Sequence, residues 1–324
     1  MYKVFVTCEV AQKGLDLLNK AGYEVETFAG TPPVPRDVLL QKAANAHGLL
    51  TDVDDLIDEV LIRGASNLKV VSNNAVGYDN IDIVVAGQNN IAVCNTPGVL
   101  SESVADFTWG LMIAAARFIQ QGSANVLAGD WTRFDPIPFL GFDLYQRTLG
   151  IIGLGEIGTA VAKRAVGFDM RLLYYSKTRK HHLEDQYGLE YCELSELLQR
   201  SDFVSVHVPR NTDTRHLIGA EQFQLMKSSA ILVNTARGSI VDQNALYEAV
   251  KSGTIAGAGI DVADPEPIDR NDPLLSLGNV VVTPHIGSAS TDAIDGMGIT
   301  AASNIIAVLN GKPPISCINT HYLT

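Results

Sequence analysis

The chain has 324 residues, of which 46% are hydrophobic and 19% charged, and its formal net charge is −12 at pH 7. This length favours two domains, and the composition is that of a folded globular protein without long disordered segments. The acidic balance disfavours nucleic acid and anionic membrane surfaces as the main partners.

The sequence carries no sign of export or of membrane insertion. No stretch approaches about 18 uninterrupted apolar residues, and residues 1–5 lead directly into a predicted strand. Four cysteines lie far apart and form no C-x-x-C motif or Cys/His cluster: Cys8, Cys94, Cys192 and Cys317. We therefore expect a cytoplasmic protein with reduced, mostly buried thiols and no metal site, a lone catalytic cysteine being a minor alternative.

Short apolar stretches alternate with amphipathic ones in the first hundred residues. Strands are predicted at residues 3–7, 24–28, 48–51, 68–72 and 91–94, and helices near residues 11–21, 36–46 and 81–88. This alternation is typical of a parallel sheet with helices on both faces.

A long apolar helix and an irregular arm are predicted next. Ser101 can cap the helix, which extends to Arg117. The arm, residues 131–141, combines aromatic side chains with prolines and a glycine and shows no periodicity. Because an exposed apolar arm is usually buried against a partner, we expect a homodimer.

A second series of strands and helices begins at Thr148. Its strands are predicted at residues 148–152, 171–175, 203–207, 230–234, 256–260 and 280–283, and a helix at residues 294–309 and an extended segment at residues 315–318 come after them. The predicted fold class is therefore α/β, with two doubly wound parallel-sheet domains, Rossmann-like or flavodoxin-like.

The strand that begins at Thr148 runs directly into a G-x-G-x-x-G turn, and a helical pattern comes next. The three glycines are Gly153, Gly155 and Gly158. In this context they predict a dinucleotide site: the first permits a tight turn, the second lets the backbone approach a pyrophosphate, and the third lets the helix pack on the strand. The amides of Glu156 and Ile157 then lie at the helix start, where they can bind phosphate oxygens. A glycine-rich turn without a ligand is the alternative.

The residues after the strand at 171–175 bear on the choice of nicotinamide cofactor. An NAD site usually has an Asp or Glu about twenty residues after the glycines, where it binds the ribose 2′-hydroxyl. Here that position holds Ser176, followed by Lys177, Thr178 and Arg179. A serine and cations can bind a 2′-phosphate that a carboxylate would repel. We predict NADP(H) as the preferred cofactor and NAD(H) as the second choice; a solvated basic turn is the alternative.

Three polar residues lie just beyond the ends of different strands in the second series, where open α/β sheets form their ligand sites: Arg237, Glu266 and His285. A histidine held by a carboxylate keeps its proton near neutral pH and can donate it to the alkoxide formed when hydride reaches a carbonyl carbon. Arg237 can bind a carboxylate through two hydrogen bonds and polarise the carbonyl oxygen. Each residue taken alone could equally be a solvated loop position or part of a structural ion pair.

Several short motifs occur in an order that resembles the D-isomer-specific 2-hydroxyacid dehydrogenase family. They extend over nearly the full chain, at residues 76–82, 95–100, 104–106, 153–158, 234–238, 259–262, 266–267 and 283–287. Within the family the chain looks most like glyoxylate/hydroxypyruvate reductases and 2-ketogluconate reductases. Two places depart from the usual pattern: Phe134, where glyoxylate reductases commonly have tryptophan, and residues 263–265, between the Asp-Val and Glu-Pro motifs.

The resemblance implies an NAD(P)-dependent oxidoreductase that reduces small 2-oxoacids to D-2-hydroxyacids, with the three residues named above as its catalytic groups. It also implies a dinucleotide-binding domain at residues 101–286. A substrate-binding domain would be formed by residues 1–100 and 287–324, with a cleft between the two domains.

The resemblance further implies which residues contact the ligands. The backbone amides around Val76 and Gly77 would hold the substrate carboxylate, and Asp261 would contact the nicotinamide carboxamide. Further cofactor contacts are expected from Thr108, Val208, Pro209, Thr214, Thr235 and Ala236.

Three other functions stay open. Relatives of this fold can serve as regulators that sense a nicotinamide cofactor, against which the intact Arg/Glu/His trio argues. Methyltransferases also use glycine-rich turns, but the three-glycine turn followed by a basic 2′-phosphate site disfavours them. Oxidation of phosphite is a remote alternative within the same family.

Overall fold

The structure of the chain is a computed structural model that describes residues Met1–Leu323. These residues form two compact units. The first contains Met1–Leu100 together with the segment from Ala289 onward, and the second contains Ser101–Ser288. Each unit has its own parallel sheet with helices on both faces.

The first unit has five strands in the order β2-β1-β3-β4-β5, and every pairing is parallel. The strands are β1 (Lys3–Val6), β2 (Glu24–Thr27), β3 (Gly48–Thr51), β4 (Val70–Asn73) and β5 (Ala92–Cys94). The helices are α1 (Gln12–Lys20), α2 (Arg36–Ala43), α3 (Glu59–Gly64), α4 (Ile83–Gln88) and the last helix of the chain, α12 (Thr291–Leu309). Successive strand residues point to opposite faces, so Val4 and Val6 pack towards α1 and α12 while Phe5 packs towards α2, α3 and α4.

The helix α12 belongs to the first unit because it packs closely on α1. A Cβ atom on Gly14 would lie only 2.5 Å from the carbonyl oxygen of Gly298, so the close approach of these two backbones requires glycine at position 14. Nearby, Lys13 Nζ lies 2.6 Å from Asp295 Oδ2. By length and composition alone α12 could cross a membrane, yet half of its most apolar stretch is buried inside the described chain.

The second unit has seven strands in the order β12-β11-β10-β9-β6-β7-β8, again all parallel. The strands are β6 (Thr148–Ile152), β7 (Arg171–Tyr175), β8 (Leu189–Tyr191), β9 (Phe203–Val206), β10 (Ile231–Asn234), β11 (Gly257–Ile260) and β12 (Val280–Val282). The helices are α5 (Ser101–Arg117), α6 (Ile119–Ala128), α7 (Glu156–Ala165), α8 (His181–Tyr187), α9 (Leu194–Arg200), α10 (Ala220–Leu225) and α11 (Gln243–Lys251).

The predicted fold class, two parallel-sheet α/β domains, is confirmed. Every predicted strand is present with ends that differ by at most two residues. The strand β8 was not predicted, and no positions were predicted for the helices α3, α6, α8, α9, α10 and α11. The strand β8 has three residues and lies at the edge of the sheet, beside β7. Three residues are too few for an alternation of apolar and polar residues to be recognised in the sequence. Residues 315–318, predicted as extended, form no strand, although the amide of Ile318 donates to the carbonyl of Val93 over 2.9 Å.

The side chains of α6 and of the arm at residues 131–141 form an exposed apolar surface. None of the ten residues of α6 is buried, and the arm contains only a single turn of 3-10 helix. Leu127 is 85% and Phe134 is 89% exposed. We call this patch the arm surface; its large exposed side chains are Ile119, Val126, Leu127, Trp131, Phe134, Ile137 and Leu140.

Candidate active site

The three candidate catalytic residues lie on loops that leave adjacent strands at the same edge of the second sheet. In the register of β10, β11 and β12, Asn234 is paired with Ile260, and Ile260 with Val282. Arg237 comes after β10, Glu266 after β11 and His285 after β12. Because the three strands are parallel and adjacent, the three loops begin close together at one edge of the sheet.

His285 and Glu266 form a direct hydrogen bond, with 2.5 Å between His285 Nδ1 and Glu266 Oε1. Both side chains are partly exposed, at 32% and 36% respectively. The hydrogen bond to Glu266 is the largest influence on the imidazole and raises the pKa of His285 above its ordinary value of 6.5, although burial and the nearby charge of Arg237 act in the opposite direction. The imidazole is thus prepared to hold and donate a proton near neutral pH.

The backbone position of His285 is held by Asp261, which comes directly after β11 and is buried. The Asp261 carboxylate accepts hydrogen bonds from Thr283 Oγ1 at 2.7 Å and from the amides of Ile286 and Gly287 at 2.9 and 2.7 Å. The Asp261 carbonyl accepts from the His285 amide at 2.8 Å. His285 has a φ of 55°, a left-handed conformation that is unusual for a residue other than glycine. These contacts keep the turn around His285 in that conformation.

The glycine that comes after Arg237 lets the loop of Arg237 pack on the loop that leads to Glu266. A Cβ atom on Gly238 would lie 1.8 Å from the carbonyl oxygen of Ala263, so only glycine lets these two loops pack together. Arg237 Nη1 donates to the carbonyl of Ala236 at 2.8 Å. Its positive charge is close enough to lower the pKa of His285, in opposition to Glu266. The structure therefore places a guanidinium, a carboxylate and an imidazole in one cluster.

The glycine-rich turn between β6 and α7 fits a dinucleotide pyrophosphate. Gly153 has a φ of 97°, and a Cβ atom there would lie 2.7 Å from the carbonyl carbon of His207. A Cβ atom on Gly158 would lie 2.1 Å from the carbonyl oxygen of Gly153, so the helix and the turn could not pack as they do with a larger residue. Gly155 is exposed and faces open space, with Glu156 and Ile157 in the first turn of the helix. Such an arrangement presents amides to an anion.

The basic residues after β7 have partners within the unit. Arg179 forms two hydrogen bonds with Glu184, from Nε at 2.8 Å and from Nη2 at 2.9 Å, and its guanidinium lies 5.5 Å from the centre of the Tyr191 ring. This pairing, mainly with Arg179, lowers the pKa of Glu184 to about 2. Lys177 is 93% exposed, with Nζ 3.8 Å from Asp213 Oδ2. Ser176 is half-buried and Thr178 is exposed.

The other residues expected to contact a cofactor lie around the same edge of the second sheet. Thr108, on α5, has its hydroxyl oxygen 2.9 Å from that of Thr235, which comes after β10 and precedes Ala236. In the loop after β9, Thr214 Oγ1 donates to the carbonyl of Pro209 at 2.7 Å. Val208 lies beside the glycine turn, with its backbone nitrogen 2.8 Å from where a Cβ of Gly153 would be.

The two residues expected to bind the substrate carboxylate, Val76 and Gly77, lie in the first unit, in the loop after β4.

His207 comes after β9 and contacts the glycine turn, and it was not among the site residues predicted from the sequence. Its Nε2 lies 2.7 Å from Ser205 Oγ. Burial lowers the pKa of His207 to about 3, so this imidazole is neutral at physiological pH. Its position at the end of a predicted strand was the available signal, because the edge formed by the strand ends is where ligands bind.

Comparisons with known proteins identify the family that the chain resembles. The model of the D-isomer specific 2-hydroxyacid dehydrogenase NAD binding domain matches residues 109–287. The chain is 45% identical over 326 residues to a glyoxylate reductase from Thermococcus litoralis, covering 99% of this chain and 98% of that protein.

Two solved structures extend the comparison. The TT0316 protein from Thermus thermophilus superimposes with a TM-score of 0.92 at 42% identity, covering 98% of this chain and 99% of that one. An NADPH-dependent glyoxylate/hydroxypyruvate reductase from Sinorhizobium meliloti, solved with NADP and malonate, has a TM-score of 0.86 at 29% identity, covering 98% and 96%.

The hydrogen bond between His285 and Glu266 predicts how the imidazole titrates. In the wild-type protein the pKa of His285 should lie above 6.5, because the carboxylate stabilises the imidazolium. In Glu266→Gln that stabilisation is lost while burial and the charge of Arg237 still lower the pKa of His285, so this pKa should fall relative to that of the wild-type protein. Imidazole chemical shifts followed by NMR against pH measure both values.

A matched control removes a neighbouring carboxylate that His285 does not contact. Asp264 lies two residues from Glu266, and its Oδ2 is 3.9 Å from Arg215 Nη1. Asp264→Asn should leave the titration of His285 unchanged. Equal shifts in the two variants would show that general charge, and not the direct hydrogen bond, sets the pKa of His285.

Proposed function

Because the chain belongs to the D-isomer-specific 2-hydroxyacid dehydrogenase family, we propose that it is an NADPH-dependent reductase of small 2-oxoacids. Glyoxylate and hydroxypyruvate are the first candidate substrates and 2-ketogluconate is a further one, with 2-hydroxyacids of the D series as the products of the chiral reactions. The observation that carries the proposal is the hydrogen-bonded pair of His285 and Glu266 beside Arg237. Reduction of a carbonyl next to a carboxylate needs a proton donor and a cation together.

The reaction adds a hydride to the carbonyl carbon and a proton to the carbonyl oxygen. The nicotinamide supplies the hydride when it is bound. His285 gives the Nε2 proton to the oxygen while Nδ1 stays hydrogen-bonded to Glu266, whose charge stabilises the imidazolium before the transfer. Arg237 stabilises the negative charge on the oxygen and binds the neighbouring carboxylate. In the first unit, we assign a carboxylate-binding role to the backbone amides of Val76 and Gly77.

We assign the cofactor to the second unit. The glycine turn and the start of α7 would hold the pyrophosphate, as the close packing of Gly153 and Gly158 supports. The contacts proposed around the rest of the cofactor are made by Thr108, Val208, Pro209, Thr214, Thr235, Ala236 and Asp261. For Asp261 this adds to its hydrogen bonds with the turn around His285, since each carboxylate oxygen can accept more than one.

The proposed preference for NADPH rests on Ser176 and Lys177. A carboxylate at position 176 would repel a 2′-phosphate, whereas a hydroxyl can donate to it and the exposed ammonium of Lys177 can approach it. Arg179 can contribute only by leaving Glu184, so we assign it a smaller share than the sequence suggested. The description of the Sinorhizobium meliloti relative as NADPH-dependent supports this choice.

Kinetics with glyoxylate and NADPH test the proposed roles. His285→Ala should lower kcat by about 10²- to 10⁴-fold with a smaller change in KM, because the proton donor is lost. Arg237→Ala should raise KM and lower kcat together, because this cation contacts the substrate in both the ground state and the transition state. The decrease in NADPH absorbance gives both constants.

The control replaces an exposed histidine on α8, as His182→Ala, and should behave like the wild-type protein. Near-normal kcat in His285→Ala would remove the proposed proton donor. Wild-type protein that binds NADPH but reduces none of the three oxoacids would instead favour a cofactor-sensing regulator.

A single substitution tests the cofactor assignment. Wild-type protein should have a higher kcat/KM with NADPH than with NADH. Ser176→Asp should reverse this order, because the new carboxylate repels the 2′-phosphate and can accept from the 2′-hydroxyl. Ser176→Asn introduces a side chain of the same size as aspartate without the charge and should change the ratio much less. A higher kcat/KM for NADH in the wild-type protein would contradict the assignment.

We also propose that the protein is a homodimer that buries the arm surface. A contiguous apolar patch on an exposed helix and arm is typical of an interface. Sedimentation velocity should give about twice the chain mass of 34.8 kDa. The double variant Leu127→Asp with Phe134→Asp should sediment as a monomer, because burying unpaired charges in an apolar interface is unfavourable.

The control for the dimer places the same charge elsewhere. Val60, on α3 of the first unit, is 64% exposed and is outside the arm surface. Val60→Asp should leave the sedimentation unchanged. A monomeric wild-type protein would contradict the proposal.

The cytoplasm is our proposed location for the enzyme. All four cysteines, which lie within the described residues 1–323, are free thiols, as is usual in a reducing compartment. The proposed reaction also consumes a reduced nicotinamide cofactor, which cells regenerate internally.

A further inference from the structure

We propose that Asn95 is a positioning residue that aims the amide of Gly77 at the substrate carboxylate, and that the C-terminal segment of the chain supports it through Ser316. This inference rests on the proposed function, because it concerns how the carboxylate of that substrate is bound. It concerns only the first unit, where residues at the end of β5 and in the C-terminal segment support the loop after β4.

The loop at residues 75–77 has each of its carbonyl groups bound to a donor of the first unit. The carbonyl of Ala75 accepts from the Thr96 amide at 2.9 Å. The carbonyls of Val76 and Gly77 accept from the side-chain amides of Asn95 and Asn73 at 2.8 and 2.7 Å, respectively. Three consecutive acceptors are therefore held against the body of the unit.

These hydrogen bonds to the loop carbonyls set the direction in which the backbone N–H groups of Val76 and Gly77 point. A peptide group is planar and trans, so the carbonyl of one residue and the N–H of the next point in opposite directions. The hydrogen bond from Thr96 therefore turns the Val76 N–H away from the body of the unit, and the hydrogen bond from Asn95 does the same for Gly77. Neither amide donates to another of residues 1–323, and both residues are partly exposed. Two adjacent donors suit a carboxylate.

The amide of Asn95 is itself oriented by the C-terminal segment. Ser316 Oγ donates to Asn95 Oδ1 at 2.5 Å, which leaves Nδ2 to face the carbonyl of Val76. Asn304, on α12, donates from Nδ2 to the carbonyl of Asn95 at 3.1 Å, and its Oδ1 accepts from the amides of Ile315 and Ser316 at 2.9 and 3.2 Å. Asn95 and Asn304 are buried, where hydrogen bonds are stronger and an unsatisfied group is costly.

Asn73 has an equivalent role for the following peptide group. Its Oδ1 accepts from Thr51 Oγ1 at 2.9 Å, which turns Nδ2 towards the carbonyl of Gly77. Asn80 Oδ1 accepts from the same Nδ2 at 3.2 Å, and Asn80 Nδ2 donates to the carbonyls of Asp52 and Asp55. The loop is thus held from β4 on one side and from β5 and the C-terminal segment on the other.

Variants of this network should separate substrate binding from turnover. Asn95→Ala should raise the KM for glyoxylate about tenfold with kcat within about threefold, since one charge-assisted hydrogen bond is weakened. Ser316→Ala should raise KM by about threefold, because Asn95 keeps its contact but loses its orientation. The dissociation constant for NADPH, measured by fluorescence, should not change in either variant.

The structural control is Asn319→Ala. Asn319 is fully buried in the same C-terminal segment and binds the backbone of Val93 and Ile91, each at 2.9 Å, without touching the loop at 75–77. It should lower the melting temperature but leave KM unchanged. Equal increases of KM in Asn319→Ala and Asn95→Ala would reduce the role of Asn95 to general stability and overturn the proposal.

A binding measurement makes the test independent of turnover. Oxalate, an unreactive dicarboxylate of similar size, is titrated into the NADPH complex while the amide signals of Val76 and Gly77 are followed by NMR. Both should shift in the wild-type protein, and in Asn95→Ala the shift of Gly77 should need about tenfold more oxalate. No shift in the wild-type protein, or the same titration in both proteins, would overturn the proposal. Shifted amides without any reduction of glyoxylate would instead refute only the proposed reaction.

Discussion

The parallel register of β10, β11 and β12 is the constraint on which the candidate site depends. Because these strands are adjacent and parallel, the chain leaves the sheet three times at the same edge. The guanidinium of Arg237, the carboxylate of Glu266 and the imidazole of His285 therefore start from neighbouring points, although each belongs to a different crossover. No local feature of the chain could bring these groups together.

Strand register brings the loops close, and buried contacts then define where the side chains lie. Gly238 lets the loop of Arg237 pack on the backbone of Ala263, where any Cβ atom would collide. The buried carboxylate of Asp261 accepts three hydrogen bonds from the turn that contains His285. That turn keeps a left-handed residue in place, so the surrounding hydrogen bonds compensate for local backbone strain.

The first unit uses the same physical device in its loop after β4. There, the side-chain amides of Asn73 and Asn95 donate to backbone carbonyls of the loop, just as the carboxylate of Asp261 accepts from backbone amides in the turn around His285. In both places a buried polar side chain has its own partners, so burial costs little and the network is rigid. Each network holds one side of a backbone segment and leaves the groups on the other side for a ligand.

The fold class and the glycine turn could be predicted from the sequence, and so could the positions of Arg237, Glu266 and His285 beyond the ends of three strands. They depend on hydrophobic periodicity, on glycine spacing and on the residue types just after each strand, which are local properties of a chain. The sequence could not reveal that Arg179 is bound by Glu184, because a basic residue after a strand looks the same whether its partner is a phosphate or a carboxylate. The buried polar groups that support the two loops became evident only in the folded chain, because Ser316 and Asn95 are far apart in sequence and meet only when α12 packs back onto the first sheet.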